Sequence, residues 1–376
     1  MKALEEHVLF EPSEGLVDSP FLMPRPYSNS RVDKAGEFIT MRVPWPDNQD
    51  EWGPLIDDAF DVVWAWRDLH AYPLDQVSRT LERRTLSVDQ SAIFAQRLKR
   101  LRSIDLKLRN EPAMHLTTMQ DMAGCRAVVD TIQQAYAIKE KYESYSDRYP
   151  EKGPELIGKW TKDYISTPKM DGYRSIHLVL RYRTKKPSIS HYNGLRVEVQ
   201  IRSRLQHAWA MAVETASSVT NQALKSGRGE DRWKRFFKLM GCVIAMREEC
   251  PLVPDVVEDP SVLRAEAAKL AAELKVIPLL EGMSHVLVNF SSSGADELYL
   301  MTLDSQERKV HYKGYKQEDF NTARKDYAQE ELSHRRNDDV HVVLVAVKSI
   351  NELREAYPSY FLDSTKFITL VREIFQ

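Results

Sequence analysis

Apolar and polar residues alternate strictly from Leu195 to Arg202. Leu195, Val197, Val199 and Ile201 fall on one face of a strand, and Arg196, Glu198, Gln200 and Arg202 on the other. On alternation alone, a solvated outer face is the better reading, because charged outer faces are common. Ile176 to Tyr182 predicts a neighbouring strand, with Ile176, Leu178 and Leu180 inward and His177 and Arg181 outward. Paired across the loop 183–194, the two strands bring His177 towards Glu198.

Elsewhere the pattern is mostly helical. Leu55, Ala59, Val62, Val63 and Trp66 predict a helix over 52–69, and Leu98, Leu101 and Leu108 predict another over about 91–108. The run after Gly124 predicts a buried strand with Asp121 at its mouth, followed by a helix over 131–146. Helices are expected over 204–219, 231–249 and 261–276, the last opened by Asp259-Pro260. From about 283 short strands appear (285–290, 297–302, 309–312, 340–347), with helices over 321–334, 350–356 and 364–375. Residues 1–50 are rich in Pro, Ser and Asp and read as an extended arm, with a short strand at 38–43. The expected organisation is an arm (1–50), a main domain (51–255), a helical linker (256–282) and a C-terminal α+β module (283–376).

Composition narrows the function classes. The 376 residues are 43% hydrophobic and 29% charged, as in a globular protein, with a net charge of −2 that argues against wholesale polyanion binding. No apolar run approaches the roughly 20 residues of a membrane helix, and the N-terminus lacks a signal-peptide pattern, so a cytoplasmic, membrane-free protein is expected. Cys125, Cys242 and Cys250 are too scattered for a disulfide framework or a zinc site.

Charge becomes informative locally. Between Arg97 and Arg109 six cations face one acid, Asp105. Taken alone, this is as well explained by a solvated basic face as by a polyphosphate site. Asp121 at a strand mouth suits either a turn cap or a Mg²⁺ ligand.

Four blocks, in order, change the balance. Arg97-x-Lys99-x3-Ser103-x3-Lys107 resembles the ATP-binding helix of the RelA/SpoT alarmone synthetases. Asp121-x2-Gly124-x-Arg126 resembles their Mg²⁺-binding strand. Lys162-Asp163-Tyr164-Ile165 through Gly172-Tyr173-Arg174-Ser175-x-His177 resembles their acceptor loop. Glu198-x-Gln200-Ile201-Arg202 with His207-Ala208-Trp209-Ala210 resembles their catalytic strand and the helix after it. The resemblance covers about 92–215, a third of the chain.

It implies an α+β fold, a mixed β-sheet surrounded by helices, with the C-terminal α+β module separate from it. It implies transfer of the β,γ-diphosphate of ATP to a ribose 3′-hydroxyl, with Mg²⁺ as cofactor. By that resemblance Asp121 is catalytic and a metal ligand. Glu198 is the base or a second metal carboxylate. Arg97, Lys99, Ser103, Lys107 and Arg126 hold ATP phosphates. Lys162, Lys169, Tyr173, His177, Gln200 and Arg202 bind the acceptor, with Tyr173 stacked on its base. Asp171 stands where the family commonly has Asn, which leaves guanine and adenine acceptors both open. No His is followed by Asp, so no family-type hydrolase is expected. The extra C-terminal residues place the chain nearer the growth-inhibiting synthetases of toxin–antitoxin and phage-defence systems. An antitoxin or phage-derived trigger and a homo-oligomer are partners this leaves open, with residues from about 255 onward expected to restrain or trigger synthesis. Two alternatives stand beside it. One is pyrophosphorylation of the 3′-terminal adenosine of tRNA, using Lys185, Lys186, Lys225, Arg228, Arg232, Lys234 and Arg235. The other is a non-catalytic nucleotide sensor.

Overall fold

The computed structural model describes residues 22–40, 52–148, 153–219, 230–256, 259–283, 287–291, 298–307, 309–334, 337, 339–346, 357 and 364–376. The order is α1 (Asn29–Ile39), α2 (Trp52–Leu69), α3 (Ala71–Leu86), β1 (Ile93–Leu98), α4 (Leu101–Asn110), β2 (Ala123–Val129), α5 (Ile132–Arg148), β3 (Glu155–Leu156), β4 (Lys162–Asp163), β5 (Ile176–Arg181), β6 (Arg196–Ser203), α6 (Arg204–Val219), α7 (Asp231–Arg247), α8 (Pro260–Glu273), α9 (Val276–Met283), β7 (Leu287–Ser291), β8 (Leu298–Asp304), β9 (Lys309–Tyr315), α10 (Phe320–Ser333), β10 (Val340–Ala346) and α11 (Thr365–Glu373).

Among the described residues the ten strands share one mixed sheet, ordered β3-β5-β6-β2-β1-β10-β8-β9-β7, with β4 also on β5. β2–β6 and β7–β9 are parallel, and the other pairs antiparallel. Period-two alternation divides the central strands cleanly. Ala123, Cys125, Ala127, Val197, Val199 and Ile201 pack under α3 and α5, with Leu74, Val77, Leu81, Ala135 and Ile138. The other face carries the polar residues. Its rows run Arg97–Gly124–Glu198 and Ala95–Arg126–Gln200–His177. Helices α6 to α9 and α11 share a second core around Phe236, Phe237 and Phe367. α1, α2, α4 and α10 enclose a third around Ile104, Leu108, Tyr72 and Tyr327.

The helix expected over 91–108 is instead a strand and a helix, β1 and α4. Ile93 and Ala95 are buried in alternation and pair with Val128 and Arg126, so β1 takes its place beside β2 and the helix starts only at Leu101. The N-terminal arm is also corrected in part. Residues 29–39 are helical, capped by the Ser28 hydroxyl on Arg31 N–H and buried through Val32, Ala35 and Gly36. Phe38 and Ile39 therefore close a helix rather than open a strand, and residues 41–43 lie outside the described residues. α3 was not foreseen. The helix expected over 350–356 lies outside the described residues. The strands after residue 283 extend the same sheet, because β10 pairs with β1 at Arg97–Val345. Their apolar face (Tyr299, Met301, Val343, Val345) is continuous with Ile93, Ala95 and Val128. Among the described residues no helix is long and apolar enough to cross a membrane.

Candidate active site

The polar face of β1, β2 and β6 forms the floor of a cleft of about 110 Å³. Arg97, Lys99, Asp121, Arg126, Glu198 and Gln200 line it, and Met211 and Glu214 of α6 form a wall. Gly124 lies in the floor between Arg97 and Glu198. A β-carbon there would meet only Glu198 O, at 3.8 Å, so glycine keeps the floor open rather than relieving a clash.

At one end Asp121 is clamped by two ammonium groups, Lys99 Nζ at 2.6 Å and Lys107 Nζ at 2.9 Å. Burial alone would raise its pKa, but the two lysines outweigh burial and hold the carboxyl well below the usual range. Burial pulls Lys99 down in spite of this pair, whereas in Lys107 Asp121 prevails and the pKa rises. Burial also draws Arg126 down to about 10, with the charges of Arg202 and Arg97 adding. A crowd of desolvated cations around one carboxylate is an environment that a polyphosphate relieves.

At the other end five side chains close a hydrogen-bonded ring. Glu198 Oε1 lies 3.0 Å from His177 Nδ1, and His177 Nε2 lies 2.7 Å from Tyr173 Oη. Arg202 donates to Tyr173 Oη (2.7 Å) and to Gln200 Oε1 (2.6 Å), and Gln200 Nε2 donates to Glu198 Oε2 (2.6 Å). The β5–β6 register, His177 opposite Gln200, makes the ring possible. Burial opposes a charged His177, yet Tyr173 and Glu198 outweigh it and raise its pKa to about 9. Burial likewise raises Glu198, but His177 prevails and lowers it.

The loop before β5 is held from outside. Gly172 has φ +92°, and a β-carbon there would meet Lys238 Cα at 3.1 Å. Facing it, a β-carbon on Gly241 of α7 would meet Gly172 O at 2.7 Å. Two glycines thus allow the loop to lie directly on α7, and Trp209 Nε1 donates to Phe237 O at 2.8 Å beside them. Asp171 accepts from Tyr173 N–H (2.9 Å), a turn bond whose oxygen Asn carries equally well. That gives the Asp-for-Asn departure a local role without reference to the base.

The expected ATP residues Arg97, Lys99 and Arg126 meet in the cleft, and Lys107 joins them through Asp121. Ser103 lies one turn before Lys107 on α4 and does not line the cleft. Of the acceptor set, Tyr173, His177, Gln200 and Arg202 converge in the ring. Lys162 pairs opposite His177 but is exposed, and the exposed Lys169 puts Nζ 5.0 Å from the centre of the Tyr173 ring. Of the basic residues considered for tRNA, Arg232, Lys234 and Arg235 are paired with Glu230, Asp231 and Glu266. Lys185 and Lys186 are exposed, and Lys225 and Arg228 lie outside the described residues.

Sequence reasoning missed Tyr357. Its hydroxyl donates to Gln96 O (2.8 Å), its ring lies 5.8 Å from the Arg126 guanidinium, and it closes one side of the cleft from far along the chain. No local pattern marks it. Glu214 and Met211 follow from helical spacing on α6, had the cleft been known.

The donor set suits a single divalent cation. Asp121 and Glu198 line one cleft, and the Asp121 charge acts against ionisation of Glu198, a repulsion that a dication relieves. Among the described residues no group of three or more acidic, His or Cys side chains gathers, so further ligands would come from substrate and water.

Residues 96–219 match the model of the region found in RelA / SpoT proteins. GTP pyrophosphokinase YjbM of Bacillus subtilis (strain 168) is 32% identical over 116 residues, 30% of this chain and 50% of that protein. The chain thus spans about half of that relative's length. GTP pyrophosphokinase YwaC of the same organism is 30% identical over 172 residues, 41% of this chain and 76% of that protein. The crystal structure of small alarmone synthetase 1 from Bacillus subtilis bound to its product pppGpp superposes with a TM-score of 0.39, at 23% identity, covering 49% of this chain and 93% of that one. With four motif blocks in order and YwaC matched over three quarters of its length, the chain belongs to the RelA/SpoT family.

Proposed function

We propose that the chain is an ATP-dependent pyrophosphokinase making an alarmone of the (p)ppGpp or (p)ppApp kind. The observation that carries this reading is a single cleft lined by the lysine-clamped Asp121 and by Glu198 and Gln200, which His177, Tyr173 and Arg202 hold in a hydrogen-bonded ring. In the proposed reaction the acceptor 3′-oxygen attacks the β-phosphorus of ATP. The bond from that phosphorus to the α,β-bridging oxygen breaks, AMP leaves with the electron pair, and the β,γ-diphosphate stays on the 3′-oxygen. Lys99, Lys107, Arg97 and Arg126 offset the charge that gathers on the phosphates. Glu198 takes the hydroxyl proton, with His177 and Gln200 fixing its orientation. Asp121 and Glu198 would hold Mg²⁺, which supplies charge neutralisation at the transferring group. Tyr173, Arg202, Lys162 and Lys169 receive the acceptor. In this reading residues 51–255 are the catalytic unit and residues from 283 regulate it.

The test offers γ-labelled ATP and Mg²⁺ with GDP, GTP, adenine nucleotides or deacylated tRNA in separate reactions, with Glu198→Gln as control. Label in one nucleotide, lost in the variant, supports the reading and names the acceptor. Label in tRNA alone replaces it with tRNA modification. ATP binding without AMP release replaces it with a sensor.

A further inference from the structure

Helix α4 presents Ser103 and Lys107, yet its own sequence leaves its first turn uncapped. Arg100 stands at the N-cap in extended conformation with no side-chain hydrogen bond to the turn, and the turn contains no acid. A helix start in that state exposes N–H donors and the positive end of the helix dipole. The missing acceptor comes from α10, 230 residues away. Glu331 Oε1 accepts from Leu101 N–H at 2.9 Å. The same carboxylate is 8% exposed and accepts from Tyr327 Oη (2.9 Å) and from fully buried Arg67 of α2 (2.5 Å). Arg67 in turn lies 4.5 Å from the centre of the Tyr327 ring. One buried carboxylate therefore joins three elements, and two of them, α2 and α10, lie outside the matched family region.

We propose that Glu331 is a positioning residue for the donor-phosphate helix, capping α4 from the C-terminal segment so that Lys107 stays seated on Asp121. The inference rests on reading α4 as a donor-phosphate helix. It differs from any general restraint by the C-terminal residues, because it assigns them a supporting contact.

The test uses the full chain carrying Glu331→Gln or Glu331→Ala. Three readouts are taken: amide hydrogen exchange over residues 101–104, the KM for ATP, and kcat. A cap of ordinary strength predicts exchange there about tenfold faster in the Ala variant and an ATP KM raised about 3- to 10-fold with kcat within twofold. The Gln variant keeps an oxygen for Leu101 N–H and loses the charge, so its effects fall between wild type and Ala. If removing the Arg67 partner prevents the Ala variant from folding, the Gln variant decides. Unchanged exchange and KM in a folded variant overturn the proposal, and so does a lower melting temperature without either change. If the wild type transfers no label to any acceptor, the pyrophosphokinase reading fails separately. Exchange over 101–104 and affinity for a non-hydrolysable ATP analogue then still decide the role of Glu331.

Discussion

Replacing Glu198 by Gln removes the anion facing His177 and keeps a side chain of the same shape. In the folded protein burial works against a charged imidazole, but Tyr173 and Glu198 prevail, and His177 keeps its proton up to about pH 9 against an ordinary 6.5. That interval is worth about 3 kcal/mol at roughly 1.4 kcal/mol per tenfold in proton affinity. The folded ring binds the proton more tightly than the unfolded one. Its stabilising contribution is therefore complete below pH 6.5 and is lost as pH rises through 9. Tyr173 has the opposite sign. Burial raises it, but Arg202 and His177 outweigh burial and bring it from 10 to about 8, so its contribution is present above pH 10 and is lost as pH falls through 8. The two partly cancel above pH 8, which leaves pH 6.5 to 8 as the clean window. The assay is a titration of the His177 C2 proton in ¹³C-histidine-labelled protein, assigned with His177→Gln. With Glu198 gone and burial unopposed on that side, the midpoint is expected to fall by about one pH unit or more, equivalent to about 1.4 kcal/mol. The decline in melting temperature between pH 6.5 and 8 should shrink in parallel. A His177 midpoint in Glu198→Gln that matches wild type would refute the claim that Glu198 holds the ring charged.

Gly124→Val fills the cleft floor, with its β-carbon in ordinary contact with the Glu198 carbonyl oxygen at 3.8 Å. It is expected to leave the melting temperature within a few degrees and to abolish ATP binding by calorimetry; unchanged affinity means that ATP binds elsewhere. Gly241→Ala pushes a β-carbon into Gly172 O, so the acceptor KM should rise about tenfold, 1.4 kcal/mol in binding, while the ATP KM holds; equal changes in both would show general damage. Asp121→Asn leaves Lys99 and Lys107 without their shared anion. Transfer should drop at least about a hundredfold, as when a principal transition-state electrostatic group is lost. A Mg²⁺ dependence in the variant that matches wild type would remove Asp121 from the metal site.

What the sequence disclosed followed the reach of its patterns. β6 was readable residue by residue because its inward face is Val-Val-Ile and its outward face ionic, and the His177–Glu198 meeting followed from pairing two such strands. The 97–107 block misled because its cations at helical spacing straddle a strand and a helix. The apolar pair Ile93-Phe94, which favours strand, was outweighed by the leucines after it. α3 escaped because its buried face includes polar residues, Asp75, Thr80 and Thr85 among them. Tyr357 and Glu331 could not be found in this way. Each acts through a contact more than 200 residues distant, and Glu331, although at helical spacing with Phe320, Ala323 and Tyr327, puts a charge where the pattern calls for an apolar residue.

The seam between β1 and β10 ties the C-terminal segment to the solubility of the rest of the chain. A chain ending near residue 255 would strip β10 from β1, where Arg97 meets Val345, leaving β1 as a sheet edge and removing Val343 and Val345 from the cluster that covers Ile93 and Ala95. Such an edge is a template for adding strands from other molecules, so the shortened protein is expected to self-associate and precipitate. Loss of activity on truncation would then report colloidal behaviour instead of regulation. Single substitutions that leave the seam closed are the sounder probe.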